Sequence, residues 1–157
     1  MATRAGIDAS ITSRLDADHL LLGMAVRMDF DTDEIRVWSG IGDLTLNSQV
    51  YTGAGTLLSI SDIEDGSELK SSGVSLSLSG MDTTVLSYAL SENYLNRPIY
   101  IYLVFTDGGG NELAGAMTSF VGRMISMTIS DDPNGSTIQL SAENRLLDLN
   151  RPSNLRY

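Results

Sequence analysis

The chain contains no cysteine. Disulfides and thiolate metal sites are therefore excluded, although the absence does not identify a compartment. There is a single lysine, Lys70, and a single histidine, His19. Acidic residues outnumber basic ones twenty to ten, for a formal net charge of −10. A nucleic-acid binder needs a basic footprint, and this sequence has none. An anionic membrane leaflet repels such a chain for the same reason. No apolar run approaches the roughly 20 residues that a membrane-spanning helix needs. The N-terminal stretch MATRAGIDASITSRLDADH lacks the apolar centre of a secretory signal. These absences lead to the expectation of a soluble protein made in the cytoplasm, with no nucleic-acid partner and no membrane span. The 157 residues suit one domain. A chain of this size buries roughly 68–70% of its unfolded surface, enough for a core without staples.

Catalytic constellations are equally scarce. A hydrolase triad needs His19 beside a serine and a carboxylate, and no nucleophile-elbow motif is present. The histidine reads as structural or exposed. Asp29, Asp31 and Asp33 open like a calcium loop. Glu34 then stands where that loop needs glycine, and Gly40 where it needs a bidentate glutamate. The aspartates read instead as a solvated hairpin turn that also keeps an edge strand from mispairing. Gly108, Gly109 and Gly110 bring no phosphate-binding lysine and open no helix, which speaks against a nucleotide site. Twenty carboxylates make close pairs unavoidable, so proximity alone does not argue for a glycosidase. The expectation is a protein that is not an enzyme, with no metal and no cofactor.

What the chain has is glycine corners and paired apolar ribbons. Residues 37–62, VWSGIGDLTLNSQVYTGAGTLLSISD, hold the only tryptophan and four of the fifteen glycines. Gly40, Gly42, Gly53 and Gly55 stand where a chain needs positive φ or close backbone approach. The stretch reads as two strands bent at glycine corners, with Trp38 and Tyr51 as packing anchors, followed by an alternating strand at Leu58–Ile60.

Leu22, Met24, Val26, Met28 and Phe30 alternate with Ala25, Arg27 and Asp29, a strand of period two. Asp31 to Glu34 is a polar turn, and Ile35 to Trp38 returns as the second strand of a hairpin. Asp62 to Gly73 is an acidic, serine-rich loop. Val74, Leu76 and Leu78 alternate with serines, giving one apolar face and one small polar face that meets water or another subunit. Asp82 fits an N-cap for a helix over Thr83–Ser91, with Val85, Leu86, Ala89 and Leu90 as its buried stripe. Ile99 to Phe105 is apolar on both sides and reads as a covered strand. Its tyrosines, Tyr100 and Tyr102, either complete the core or face a partner, since tyrosine is enriched in interfaces.

Asp107 to Asn111 makes a hairpin turn, with strands over Leu113–Val121 and Met124–Ile129 after it. Asp131 to Gly135 makes a second tight turn that Thr137–Leu140 closes. A short helix over Ser141–Leu149, capped by Ser141, is expected next. Near the N-terminus, Ile7, Ile11 and Leu15 repeat at a spacing of four, either as a short helical stripe or as an arm that orders only against a neighbour. Turn signals recur about every 8–12 residues, the rhythm of an antiparallel sandwich or barrel. The expected fold is thus mainly β, an antiparallel β-sandwich or barrel with one short helix at about 83–91 and short terminal helical segments. Residues 1–19 form an N-terminal arm and residues 20–157 a single β-rich domain.

Several of these pieces resemble, in order, the N-terminal domain of a tail-tip protein family of long-tailed bacteriophages and gene transfer agents. They are Arg36, Trp38 and Gly40; then Tyr51, Gly53, Gly55, Leu57, Leu58 and Ile60; then GVSLSLSGMD, RPIYIYLVF, FVGRMISMTISD and LSAENRLLDLNRPSNLRY. The resemblance implies a structural virion protein at the phage tail tip, in a baseplate ring of threefold or sixfold symmetry. Such a ring joins the tail tube and distal tail protein to the hub and receptor-binding apparatus. Larger relatives continue past an ending like Arg156-Tyr157 into a domain that can carry cysteine ligands for an iron–sulfur cluster, and no cysteine stands here to carry over. Arg27, Arg36, Arg97, Arg123, Arg145, Arg151 and Arg156 offer planar forks for ion pairs with the many carboxylates. Arg145, Arg151 and Arg156 either dock on the acidic loop of the next subunit, through Asp62, Glu64, Asp65 and Glu68, or pack within their own chain. A rival reading is a carbohydrate-binding β-sandwich used in adhesion, with Trp38, Tyr51, Tyr100 and Tyr102 as its aromatic platform.

Overall fold

A computed structural model describes residues 20–54, 57–60, 73–79, 87, 91, 93–107 and 113–144. Nine strands run in chain order: β1 (Leu20–Asp29), β2 (Glu34–Trp38), β3 (Ile41–Leu46), β4 (Gln49–Ala54), β5 (Leu57–Ile60), β6 (Gly73–Ser79), β7 (Pro98–Asp107), β8 (Leu113–Asp132) and β9 (Gly135–Asn144). They make one sheet in the order β3-β4-β2-β1-β7-β8-β9-β6-β5. The mainly β fold expected from the alternating pattern is what the chain adopts. One pairing departs from the antiparallel scheme: β2 and β4 are parallel, with Val37 opposite Thr52. The corner at Ser39 and Gly40 throws β3 outward, and the β3–β4 hairpin then returns β4 alongside β2.

Side chains alternate faces along a strand, and here both faces of the central strands are used. On the first face, Val26, Met28, Ile35, Val37, Ile99 and Ile101 pack with Phe120, Met124, Ile138, Leu140, Ala142, Val74, Leu76 and Leu78. On the second, Ala25, Trp38 and Val104 pack with Leu44, Leu46 and Tyr51. The sheet therefore curls both ways. β6 and β9 close over one face, while β3 and β4 close over the other, where β3 comes up against β8. Ile99–Phe105 lies in β7, between β1 and β8, with Ile99 and Ile101 buried on the first face and Val104 on the second, while Tyr100, Tyr102, Leu103 and Phe105 are half-buried.

β8 is a single strand of 20 residues, where the alternation suggested two. Its first half pairs with β7 and its second with β9. The register slips between Ile101 and Tyr102 leave Ser119 unopposed, so Thr118 and Phe120 face opposite ways despite their spacing of two. A further slip beside Ile125 moves the core-facing set from the buried Phe120 and Met124 to the half-buried Met127 and Ile129. At the change of partner stands Gly122, where a Cβ would lie 2.5 Å from the Phe120 ring.

β9 runs on through Asn144, so Ser141 does not cap a helix. Leu140 and Ala142 are both buried, a period of two that only a strand satisfies. The turn at Pro133-Asn134 closes the β8–β9 hairpin as expected, and Ser136 Oγ donates to Asp131 Oδ1 at 2.6 Å beside it. Ser87 and Ser91 are helical, and Ser91 Oγ donates to the Ser87 carbonyl at 2.6 Å, one turn back. The rest of the helix expected over 83–91 lies outside the described residues. So do residues 1–19 with His19, the glycine run 108–110, Gly55, Asp62, Glu64, Asp65, Glu68, Asp82, Arg145, Arg151 and Arg156.

Candidate interaction surface

The glycine corner is built around one indole. Trp38 ends β2 on the second face, and its Nε1 donates to the Gly42 carbonyl at 2.7 Å. The ring lies so close over Gly40 that a Cβ there would meet Trp38 Cζ2 at 2.5 Å and other ring atoms closer still. A Cβ on Gly53 would stand 2.8 Å from the Gly40 carbonyl carbon and nearer yet to its oxygen and to Trp38 Nε1. Close approach explains Gly40 and Gly53, whereas Gly42 supplies positive φ, at 80°. The β3–β4 turn uses Asn47 and Ser48, with φ of 52° and 62°, the mirror-image turn that suits strand twist. Tyr51 returns under the corner and meets Tyr102 edge-on, the centroids 6.4 Å apart.

The second face of β2, β1 and β7 continues past this corner in cross-strand rungs. Trp38, Ala25 and Tyr102 form the first, and Arg36, Arg27 and Tyr100 the next. Glu34 and Asp29 complete the pattern. An apolar floor thus ends in a half-buried charged rim. Arg27 Nε lies 2.8 Å from Asp29 Oδ1 and 2.6 Å from Glu34 Oε2. Its guanidinium sits 5.3 Å from the Tyr100 ring centroid, a cation–π geometry. Arg36 Nη2 pairs with Glu34 Oε1, and Gln49 Nε2 donates to the same oxygen at 3.4 Å. Arg36 Nε is buried and has no hydrogen-bond acceptor among the described residues. Burial lowers the Arg27 pKa, but the hydrogen bond and charge of Asp29, with Glu34 behind them, outweigh it, and the net shift is upward. Burial, helped by Tyr102, pushes the Tyr51 phenol up to about 12. Tyr102 is also raised by burial, against the pull of Arg27.

Tyr100 and Tyr102, read as interface candidates, are therefore brought together on one face and half-buried there. Three of the arginines offered for interface pairing are engaged inside the chain. Arg27 and Arg36 hold the rim, and Arg97 straps the β1–β2 turn to the start of β7. Its Nη2 donates to the Phe30 carbonyl at 2.6 Å and pairs with Asp31 Oδ1 at 3.1 Å. The three turn aspartates have separate roles: Asp29 with Arg27, Asp31 with Arg97, and Asp33 Oδ1 accepting from the Glu34 amide at 2.8 Å. No group of three potential metal ligands converges among the described residues. The rim itself had a signal in the sequence. Arg27 and Asp29 are two apart on one strand, as are Glu34 and Arg36 on the next, and a hairpin sets such pairs side by side.

These features define a mainly β scaffold in which half-buried charges pair chiefly with one another over a packed aromatic floor. A solved structure with this fold is a chain of the "Virion of native gene transfer agent (GTA) particle". It superposes with a TM-score of 0.69 at 13% identity, over 96% of this chain and 49% of that one. The present chain thus spans about half the length of its structural counterpart. No protein-family model and no curated protein matches the sequence.

Proposed function

We propose that this chain is a structural virion protein, a β-rich subunit of the ring at the tip of a phage or gene-transfer-agent tail. In this role it is a homo-oligomer of threefold or sixfold symmetry that joins the tail tube and distal tail protein to the hub and receptor-binding apparatus. It is assembled in the host cytoplasm, travels in the virion and performs no reaction. The observation that carries the reading is a fold shared over nearly the whole chain with a chain of a gene transfer agent virion. The ordered sequence pieces around Arg36, Trp38, Tyr51 and Gly53 support it independently. Arg145, Arg151 and Arg156 dock on the loop Asp62, Glu64, Asp65 and Glu68 of the next copy, and the exposed edges of Tyr100 and Tyr102 contribute contact area.

The carbohydrate reading loses two of its four aromatics to the core, because Trp38 is 5% exposed and Tyr51 1%. Mixing the purified protein with tail fractions tests the proposal. Ring-shaped particles in negative stain support it, whereas glycan capture by a monomer that ignores the tails overturns it.

A further inference from the structure

The first face of the sheet carries more apolar surface than its core covers. Three rungs cross β1, β7 and β8 there. Val26, Ile101 and Phe120 form the innermost and are buried. Met24, Leu103 and Met117 form the next, all half-buried. Leu22, Phe105 and Gly115 form the outermost, with Phe105 half-buried and Leu22 64% exposed. Exposure thus climbs rung by rung toward the start of β1 while the face stays apolar. Monomers rarely leave such contiguous surface uncovered. Leu20, opposite Asp107, begins β1 just beyond the outermost rung. Residues 1–19 therefore join the sheet at the margin of this patch.

We propose that residues 1–19 of the same chain cover it, laying Ile7, Ile11 and Leu15 as a short helical stripe across Leu22, Met24, Leu103, Phe105 and Met117. The dimensions agree. At helical rise the stripe from Ile7 to Leu15 spans about 12 Å. Successive rungs on one face lie about 7 Å apart, so the stripe reaches across both of the incompletely covered rungs. Asp16, Ala17, Asp18 and His19 extend at most about 14 Å, enough to reverse the chain, and bring little apolar surface to compete. So short a tether holds the segment at a local concentration in the millimolar range, which favours it over the same segment of a second copy. The proposal stands apart from any role in a virion.

The absence of cysteine makes a clean test. Cysteine is placed singly at position 7, 11 or 15 of the full chain and combined with Leu22→Cys. The control series uses Leu21→Cys, which is as open, at 60% exposure, but points to the opposite face. Disulfide closure demands Cα atoms within about 7 Å. In at least one of the three positions, the Leu22→Cys variant closes into a cross-linked monomer about tenfold faster than its Leu21→Cys counterpart. Equal rates for the two series, linked dimers in place of closed monomers, or no closure at any position each overturn the proposal.

Discussion

Gly53→Ala is the sharpest perturbation of the glycine corner. The added methyl would stand 2.8 Å from the Gly40 carbonyl carbon, with its oxygen and Trp38 Nε1 nearer still. A backbone carbonyl in a strand corner yields little, so the indole must move. Overpacking of this kind costs about 1–3 kcal/mol. Moving the ring also breaks the 2.7 Å hydrogen bond to the Gly42 carbonyl, worth about 1 kcal/mol. Re-exposing part of the indole adds about 1 kcal/mol at roughly 25 cal/mol per Å². The sum is about 3–5 kcal/mol, a fall in Tm of roughly 10 °C for a domain of this size. Trp38 is the only tryptophan, so tryptophan emission, excited selectively over the tyrosines, reports this corner alone. The variant should unfold earlier in urea and emit at longer wavelength before it unfolds. Gly73→Ala is the control. Its new methyl meets only the Ala142 carbonyl oxygen, at 3.5 Å, an ordinary contact. Its cost should stay below about 0.5 kcal/mol. Equal midpoints for the two variants, with tryptophan emission unchanged in both, would refute the reasoning.

Glu34→Gln removes the anion shared by Arg27 and Arg36, which face each other across β1 and β2. The loss should be about 2 kcal/mol in urea denaturation, against about 0.5 kcal/mol or less for Asp31→Asn at the more exposed Arg97 pair. The Tyr51 phenol ionises near 10 when unfolded and at about 12 when folded. Below pH 10 both states keep the proton and stability is flat. Between about 10 and 12 the unfolded state releases a proton that the folded state holds, so stability falls by up to about 2–3 kcal/mol. Tyr51→Phe should shrink that fall, leaving the smaller share due to Tyr102, as read from urea midpoints on either side of pH 10. Reversing charge at Arg151 and Arg156 together should release subunits from the ring without lowering monomer Tm, checked by size-exclusion chromatography and calorimetry.

Where alternation was unbroken, the residues named their own strand. Val74, Leu76 and Leu78 against serines, and Leu22 to Phe30 against Ala25, Arg27 and Asp29, are examples. Where a bulge reversed the parity, the pattern misled. Ser119 and Ile125 each turn the face of β8 over, so one long strand imitates two short ones. The region after Ser141 satisfied a capping pattern locally, but burial of Leu140 and Ala142 against β6 and β8 decided for strand. The hairpin at Asn47-Ser48 went unread because neither residue is glycine, though both take positive φ. The aromatic anchors were legible at Trp38 and Tyr51. The charged rim carried a signal that went unread: the predicted β1–β2 hairpin already sets Arg27 and Asp29 beside Arg36 and Glu34, and only the packing of Tyr100 from β7 needed the full sheet. The parallel pairing of β2 with β4 depends on how the corner swings the whole hairpin, which no local spacing encodes.

The measurement that bears most directly on the structural role is the mass of the native protein in solution, alone and mixed with purified tails. Assembly into a ring predicts a species at three or six times the 16.9 kDa of the chain, or its transfer into the tail fraction. A protein that stays at 16.9 kDa and remains outside the tail fraction contradicts that role.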